Sequence, residues 1–221
     1  IIPQIFLTLL YLKKGKFIKA LEGNHKKQIS QKTSALKDDL GAFLRLCLCI
    51  FSRSIVAFGF VAFFSIYLIK IFGLSKEAAN VNLSMFFAAG AISTLFGGAL
   101  ADRYGLVRLI KISLSIAAPL VLLMLFIDSY ALFLAASMCV SACISLSFSP
   151  SIALAQLYLP NQIGLASGVT LGLSITIGGI FATVIGKIAD IFSLTHSFYF
   201  IAAVSLICAV SSYFLKPVSK I

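Results

Sequence analysis

The feature that most constrains the fold is a long stretch without ionisable side chains. Residues 129–186 contain no Lys, Arg, Asp, Glu or His. A helix that spans a membrane needs about 20 predominantly apolar residues to cross ~30 Å of hydrocarbon. The stretch has room for two such helices and a turn between them. It therefore predicts that the chain is embedded in a membrane.

The composition of the whole chain agrees with this prediction. Of its 221 residues, 60% are apolar and 11% are charged, and the mean hydropathy is +1.06. A soluble domain carries about 25% charged residues. We expect an all-α membrane protein with six transmembrane helices, at about residues 43–69, 78–101, 109–127, 130–158, 163–185 and 196–215.

The residues before these helices divide into two segments. Residues 1–12 are apolar but too short to span, and we interpret them as the end of a preceding transmembrane helix. Residues 13–40 are polar and rich in lysine, which predicts a cytoplasmic linker. The six-helix bundle then occupies residues 41–221. This arrangement predicts that the chain is one part of a longer protein.

The net charge of +11 is explained by where the basic residues lie. Eight lysines fall between Lys13 and Lys37, next to a membrane span, where they face anionic lipid. If that linker is cytoplasmic, fourteen basic residues gather on its side and three on the other. The positive-inside rule then places the carboxyl terminus in the cytoplasm. Because Phe17 is the single aromatic residue among these lysines, aromatic and basic residues do not alternate, and we do not expect nucleic acid as a partner.

No constellation of an enzyme is visible in the sequence. We find no pairing of a nucleophile with a base, no metal-ligand spacing and no phosphate-binding glycine loop in a soluble setting. Cys139 and Cys143 are four residues apart and could bind a soft metal, but small packing residues are the better interpretation. We therefore expect no enzymatic activity, no cofactor and no metal site.

A short pattern occurs twice, at Gly98–Asp102 (GALAD) and at Gly186–Asp190 (GKIAD). Both copies close the second helix of a three-helix set. Because each set has an odd number of helices, the two copies face opposite sides of the membrane. Two inverted three-helix repeats predict this arrangement. The alternative is coincidence in a chain rich in glycine and alanine.

The first copy lies in a longer motif. Gly98-x-Leu-Ala-Asp102-Arg103-x-Gly105, followed by Arg108, resembles the signature loop of the major facilitator superfamily. The resemblance implies that these residues latch the cytoplasmic face in one transport state. Here Leu106 and Val107 replace the paired basic residues of the family, which weakens the expected gating contacts. The alternative is a pair of solvated loop charges at Asp102 and Arg103.

The second half of the chain resembles fosmidomycin-resistance-type efflux proteins in a set of glycines and neighbouring residues. The set is Gln156, Pro160, Gly164, Gly168, Gly172, Gly178, Gly179, Gly186 and Asp190. For Gly168, Gly172, Gly178, Gly179 and Asp190, helix packing and gating both remain open. A binding role for Gln156, Asn161 and Gln162 is a weaker interpretation, because an interfacial loop needs polar groups anyway.

The resemblance implies the carboxyl-terminal half of a twelve-helix transporter in a bacterial inner membrane. It implies export of a small, anionic, drug-like compound such as fosmidomycin, by proton antiport and alternating access. The expected partners are that substrate, protons, the lipid bilayer and a missing amino-terminal six-helix half. One alternative is an uptake carrier for a carboxylate or sugar. The other is a truncated membrane fragment that does not transport.

Arg53 is the candidate substrate-binding residue. It lies about ten residues inside the first predicted span, near the membrane midplane, where an arginine costs about 2.5–3.5 kcal/mol to insert. Its planar fork suits a phosphonate or carboxylate. The alternatives are pairing with a carboxylate in the missing half and snorkelling to the cytoplasmic surface.

Acidic residues are absent from the middle of the predicted spans. Glu77, Asp102, Asp128 and Asp190 all fall at predicted helix ends, and His196 also sits at a boundary. Transport coupled to protons needs a titratable group within the membrane. We therefore expect the proton site in the missing half.

Overall fold

The structure is a computed structural model that describes residues 38–216. The predicted helix end at residues 1–12, and all of the predicted linker except residues 38–40, lie outside this range. The described residues form an all-α bundle, in which six helical segments are long and apolar enough to cross a membrane. The prediction of six transmembrane helices is confirmed.

Four of these segments are single helices and two are interrupted. The single helices are α1 (Leu40–Phe72), α2 (Lys76–Tyr104), α3 (Leu106–Met124) and α8 (Leu194–Tyr213). The fourth segment consists of α4 (Tyr130–Leu146) and α5 (Phe148–Tyr158). The fifth consists of α6 (Ile163–Ser167), a π-helical turn (Gly168–Leu173) and α7 (Ser174–Ile191).

Polar caps and glycines set the helix ends where the sequence changes character. The carboxylate of Asp39 accepts the Ala42 N–H at 3.0 Å and so caps α1, and the Ser75 hydroxyl caps α2 in the same way. Gly73 and Gly105 end α1 and α2 with φ angles of 65° and 91°. Side chains with a Cβ rarely adopt such angles, which explains a glycine at each position.

The link between the second and third spans is shorter than the sequence suggested. The predicted spans left residues 102–108 as the link, but α2 continues to Tyr104 and α3 begins at Leu106. Gly105 alone makes the turn, and its N–H bonds the Ala101 carbonyl at 2.8 Å. Gly98, Asp102 and Arg103 are therefore helical residues at the end of α2.

The break in the fourth span was not predicted, although its cause is visible in the sequence. Pro150 has no N–H to offer the Leu146 carbonyl four residues earlier, so the helical ladder stops there. Gly97 of α2 packs against this same carbonyl. A Cβ at Gly97 would lie 2.7 Å from the Leu146 oxygen, so only glycine fits.

The bundle interior contains two apolar clusters. One is rich in aromatic rings, and its contacts include Phe60 with Phe198 at 5.8 Å and Tyr67 with Phe133 at 5.1 Å between centroids. The other gathers the amino-terminal part of α1 with α3, α5 and α8. Along α1, the polar run of residues 52–54 separates the two clusters. This run positions the candidate site.

Candidate functional site

Arg53 lies near the centre of α1 and points into the bundle. The helix runs from residue 40 to residue 72, so its midpoint is residue 56, three residues beyond Arg53. Only 7% of the residue is exposed. Its guanidinium lies over the Phe148 ring, 5.0 Å from the centroid. This burial inside the bundle does not support snorkelling to the surface.

The surroundings of Arg53 are mainly apolar. It borders a cavity of about 10 Å³, which is far smaller than a drug-like molecule. The other lining side chains come from α1, α3, α4 and α8: Val56, Leu114, Ala117, Ile144, Ser205 and Cys208. A small substrate therefore has no direct access to the guanidinium in this conformation.

The charge of Arg53 is uncompensated within residues 38–216. The buried Nε has no hydrogen-bond partner. The single ion pair in this range joins Lys216 to Asp39 at a helix end. Burying a charge without a partner is costly. The contacts that the bundle does supply, an aromatic face and a pair of weakly polar side chains, Ser205 and Cys208, are poor substitutes for an anion.

A larger groove of about 290 Å³ lies next to this cavity, between α1, α2 and α4. Its apolar lining includes Ala57, Val61, Phe87 and Ile144. Its polar lining comes from Thr94, Ser141 and Ser145. A mostly apolar pocket with a few hydroxyl groups is the usual form of a small-molecule site.

Ile144 lines both cavities and so forms the wall between them. Its side chain is buried. Arg53 therefore lies one side chain behind the groove.

The groove residues were not predicted from the sequence, although a signal was present. Ser137, Ser141 and Ser145 repeat every four residues on α4. The Ser141 hydroxyl donates to the Phe86 carbonyl at 2.6 Å. The Thr94 hydroxyl donates to the Gly90 carbonyl at 2.9 Å and lies 3.4 Å from the Ser145 carbonyl. A serine stripe facing glycines on another helix indicates a close helix pair.

The predicted signature-loop residues lie together at the α2–α3 turn but make few contacts. Asp102, Arg103 and Arg108 are exposed. The Arg103 guanidinium lies 5.8 Å from the Tyr104 ring centroid, and no ion pair within residues 38–216 includes Asp102. A Cβ at Gly98 would meet only the Ser149 hydroxyl, at 3.6 Å. The close packing at this end of α2 occurs at the adjacent Gly97, which was not predicted from the sequence.

The predicted glycines of the fifth span fall into two groups. Gly178 packs against α1, because a Cβ there would lie 2.5 Å from the Phe58 ring and 2.9 Å from the Ser54 hydroxyl. At Gly168, Gly172 and Gly179, a Cβ would have no atom within 4 Å apart from the backbone of its own helix. Close packing is therefore the role of Gly178 within the described bundle, whereas the other three line an open face.

Gly168 and Gly172 also belong to the π-helical turn, and such turns are frequent at functional sites. The Ser54 hydroxyl of α1 donates to the Ser174 carbonyl at the end of the turn, at 2.7 Å. Ser54 is the direct neighbour of Arg53 in the sequence. The π-helical turn is thereby tied to the segment of α1 that carries the buried arginine.

Asp190 is exposed near the end of α7, as Asp102 is near the end of α2. The two copies of the repeated pattern therefore do close equivalent helices. Gln156 donates to the Ser167 hydroxyl at 3.1 Å, which connects α5 with α6. This contact gives Gln156 a structural role in the turn after α5.

Comparison with known families decides the assignment. The model of the Major Facilitator Superfamily matches residues 46–221. The chain belongs to the major facilitator superfamily. It is a multi-pass membrane protein, and membership of a transporter superfamily agrees with the expectation that it is not an enzyme.

Two curated relatives come from bacteria. The "Uncharacterized MFS-type transporter YfnC" of Bacillus subtilis (strain 168) is 32% identical over 140 residues, which are 63% of this chain and 34% of that protein. The "Fosmidomycin resistance protein" of Escherichia coli (strain K12) is 30% identical over 145 residues, 66% of this chain and 36% of that protein. The aligned part of the chain therefore spans about a third of each of these relatives.

Solved structures show the same fold at lower identity. A major facilitator transporter, FucP, in the outward conformation superimposes with a TM-score of 0.72 at 18% identity. The match covers 84% of this chain and 45% of FucP. A second structure, of the E. coli fucose:proton symporter FucP, gives a TM-score of 0.68 at 17% identity. The bundle is thus a six-helix half of the major-facilitator fold.

Proposed function

We propose that the chain is half of a secondary transporter that exports a small anionic compound by alternating access. The groove between α1, α2 and α4 is the surface that meets the substrate. Arg53 supplies the positive charge once the Ile144 wall opens. The other half of the binding cavity belongs to an amino-terminal six-helix half.

One observation carries this proposal: Arg53 is a buried, uncompensated guanidinium directly behind the wall of a groove. No carboxylate in the described bundle pairs with it, and its Nε has no partner. An arginine placed at this depth normally faces a partner or an aqueous passage. A phosphonate or carboxylate substrate would satisfy the fork with two parallel hydrogen bonds. A carboxylate from the amino-terminal half is the competing partner.

The proposed efflux direction rests on the relative from E. coli, whose name refers to fosmidomycin resistance. Proton antiport is part of the same proposal. The carboxylates of Glu77, Asp102, Asp128 and Asp190 lie at or beyond helix ends, as expected. We therefore assign the coupling proton to a residue of the amino-terminal half.

Orientation in a bacterial inner membrane follows from the charges. On what we propose to be the cytoplasmic side lie Arg103 near the end of α2, Arg108 in the first turn of α3 and Lys216 just after α8, together with the linker lysines. Lys70, Lys76 and Lys187 lie on the opposite side. On this orientation, Asp102 and Arg103 are placed to latch the cytoplasmic face, with Gly105 as the turn that brings α3 beside them.

The experiment is a susceptibility and transport assay on the intact gene that contains this chain. Cells with and without the gene are exposed to fosmidomycin and to a neutral drug of similar size, and cellular fosmidomycin is measured after the proton gradient is collapsed. We expect cells with the gene to resist fosmidomycin but not the neutral drug. When the proton gradient is collapsed, we expect their cellular fosmidomycin to rise to the level of cells without the gene.

Two results would contradict the proposal. Greater accumulation of an anionic compound in cells with the gene would indicate an uptake carrier. No change in accumulation of any anionic compound, with the protein present in the membrane, would indicate a fragment that does not transport. An Asp102→Asn variant with undiminished transport would contradict the latch but not the groove.

A further inference from the structure

A second groove lies on the outer side of the bundle and shares no lining residue with the small cavity at Arg53. It runs between α3 and α8 and has a volume of about 580 Å³. It is open along its length, and its apolar floor includes Val107, Ile112 and Ile116. The transport proposal makes no use of this groove.

The charged groups of this groove lie at one end. Arg108 is exposed in the first turn of α3, and Lys111 follows one turn later. The Lys111 ammonium lies 5.8 Å from the centroid of the Tyr213 ring. The Ser115 hydroxyl donates to the Tyr213 hydroxyl at 3.0 Å, which holds that phenol beside the lysine. Two cations thus lie at the groove mouth, and the Tyr213 side chain connects Lys111 with Ser115 one turn deeper.

These cations have no acidic counterpart nearby. Among residues 38–216, the single ion pair joins Lys216 and Asp39, and neither of these residues lines the groove. The positive end of α3 also points toward this mouth, because the helix begins at Leu106. The groove mouth is therefore a site of uncompensated positive charge.

The helical spacing places both charges at one end of the groove, because Arg108 and Lys111 precede Ile112, Ser115 and Ile116 along α3. Arg108, Lys111 and Ser115 share a face of α3 with Ile112 and Ile116. At 1.5 Å per residue, Arg108 and Ile116 are about 12 Å apart along the axis. The groove is thus basic at its cytoplasmic end and apolar deeper in the membrane, under the orientation given by the basic residues.

We propose that this groove binds one anionic phospholipid of the cytoplasmic leaflet. The phosphate lies among Arg108, Lys111 and the Tyr213 hydroxyl, and the acyl chains follow Ile112 and Ile116. Charge complementarity selects this occupant over a neutral lipid. The placement of both charges at one end selects a lipid over a soluble anion, because only an amphiphile fills both ends. Basic pockets between transmembrane helices on the cytoplasmic side bind anionic headgroups in this way.

The test is native mass spectrometry of the purified, intact protein that contains this chain. The protein is titrated with phosphatidylglycerol, with phosphatidylcholine of the same chains, and with inorganic phosphate. We expect one retained phosphatidylglycerol, weak binding of phosphatidylcholine, and no displacement by millimolar phosphate. Lys111→Gln should weaken phosphatidylglycerol binding about five-fold, whereas Lys111→Arg should retain it.

Two further variants keep the result interpretable. Lys70→Gln, which removes an exposed lysine at the far end of α1, should leave the affinity unchanged. Tyr213→Phe keeps the ring but loses the hydroxyl, and should weaken binding less than Lys111→Gln does. If Lys111→Gln elutes as an aggregate, Tyr213→Phe tests the proposal instead: weaker phosphatidylglycerol binding supports it, and unchanged binding contradicts it.

Several outcomes would overturn the proposal. One is equal affinity for phosphatidylglycerol and phosphatidylcholine, and another is an equal loss of phosphatidylglycerol affinity in Lys70→Gln and Lys111→Gln. A third is displacement of the lipid by inorganic phosphate. The last is a protein that is a dimer until Lys111→Gln dissociates it, because a second copy would then occupy the groove. The lipid measurement needs no transport activity, so it stands or fails independently of the export proposal.

Discussion

The second and fifth spans end in the same short pattern but use their glycines in opposite ways. In α2, Gly90 lies against the Ser145 and Ser141 hydroxyls, and Gly97 lies against the Leu146 carbonyl. In the fifth span, Gly168 and Gly172 face open space, and Gly178 contacts Phe58 of α1. The α2–α4 contact is closed by backbone proximity, whereas most of the glycine face of the fifth span meets nothing in the described bundle.

This difference teaches that glycine serves two purposes in one fold. Where two backbones touch, glycine is a steric necessity, and the contact is fixed. Where nothing touches it, glycine leaves a smooth surface and a helix that bends easily, as the π-helical turn indicates. We propose that the α2–α4 pair is the rigid element and that the fifth span is the element that moves against the amino-terminal half.

The largest expected effect on stability is at Gly97. In Gly97→Ala the new methyl group would lie 2.7 Å from a backbone oxygen that cannot rotate away. We expect a cost of about 1–3 kcal/mol and a melting temperature in detergent lower by at least about 2 °C. Gly98→Ala is the matched control, because it adds a methyl group at ordinary contact distance. It should gain about 0.5–1 kcal/mol of helix stability. Equal melting temperatures for the two variants would contradict the closed contact.

A smaller loss is expected at Gly178. A methyl group there would lie 2.5 Å from the Phe58 ring and 2.9 Å from the Ser54 hydroxyl, so both groups must move; they are side-chain groups that can rotate away, whereas the Leu146 carbonyl cannot. Gly178→Ala should therefore cost about 1 kcal/mol, less than Gly97→Ala. Thermal unfolding followed by size-exclusion fluorescence measures both variants. A larger loss at Gly178 than at Gly97 would reverse the assignment of the rigid pair.

Gly168→Ala and Gly172→Ala should separate stability from function. The new methyl group would contact no other part of the described bundle within 4 Å in either variant. We therefore expect the melting temperature of each variant to be unchanged or slightly raised. Transport should fall several-fold, because a stiffer turn resists the proposed movement. The two measurements are made on the same preparations. A fall in melting temperature with intact transport would indicate that these glycines pack against the amino-terminal half without moving.

The smallest expected effect concerns the amino-terminal end of α1, which lies outside the second and fifth spans. The Ala42 N–H and then Lys216 lower the pKa of Asp39 below its ordinary value of 3.8. A lowered pKa contributes stability that is complete above pH 3.8 and is lost as pH falls through the folded-state pKa. Asp39→Asn should therefore melt slightly below wild type at about pH 6, with the difference disappearing below pH 3.8. A difference that persists in acid would place the effect elsewhere.

The sequence was sufficient for the number, order and type of the spans, because apolar length is a property of each segment alone. Its boundaries were between zero and six residues from those observed: the end at Tyr158 was correct, whereas Ile191 ends a span that we expected to end near residue 185. The break at Ser147 could have been inferred from Pro150. The single-residue turn at Gly105 could not, since a helix end depends on how α3 packs back on α2.

The candidate site was only partly predictable. Arg53 was identifiable because the membrane makes a buried charge conspicuous, but its position behind Ile144 depends on how four helices meet. The Thr94, Ser141 and Ser145 groove was missed because single hydroxyls in apolar runs are common. The close packing at Gly97 was also missed, because a pair of adjacent glycines does not show which one faces the next helix.

The central claim, that Arg53 recognises an anionic substrate, is tested most directly by conservative replacement. The intact transporter is compared with Arg53→Lys and with Arg45→Lys, which changes an exposed arginine of the same helix, using cellular accumulation of fosmidomycin and the amount of folded protein in the membrane. A lysine keeps the charge but loses the fork, and a charge-assisted hydrogen bond is worth about 1.5–3 kcal/mol. We predict that Arg53→Lys folds normally and transports at least about ten-fold less, while Arg45→Lys transports normally. Undiminished export of the anionic compound by folded Arg53→Lys would contradict the claim.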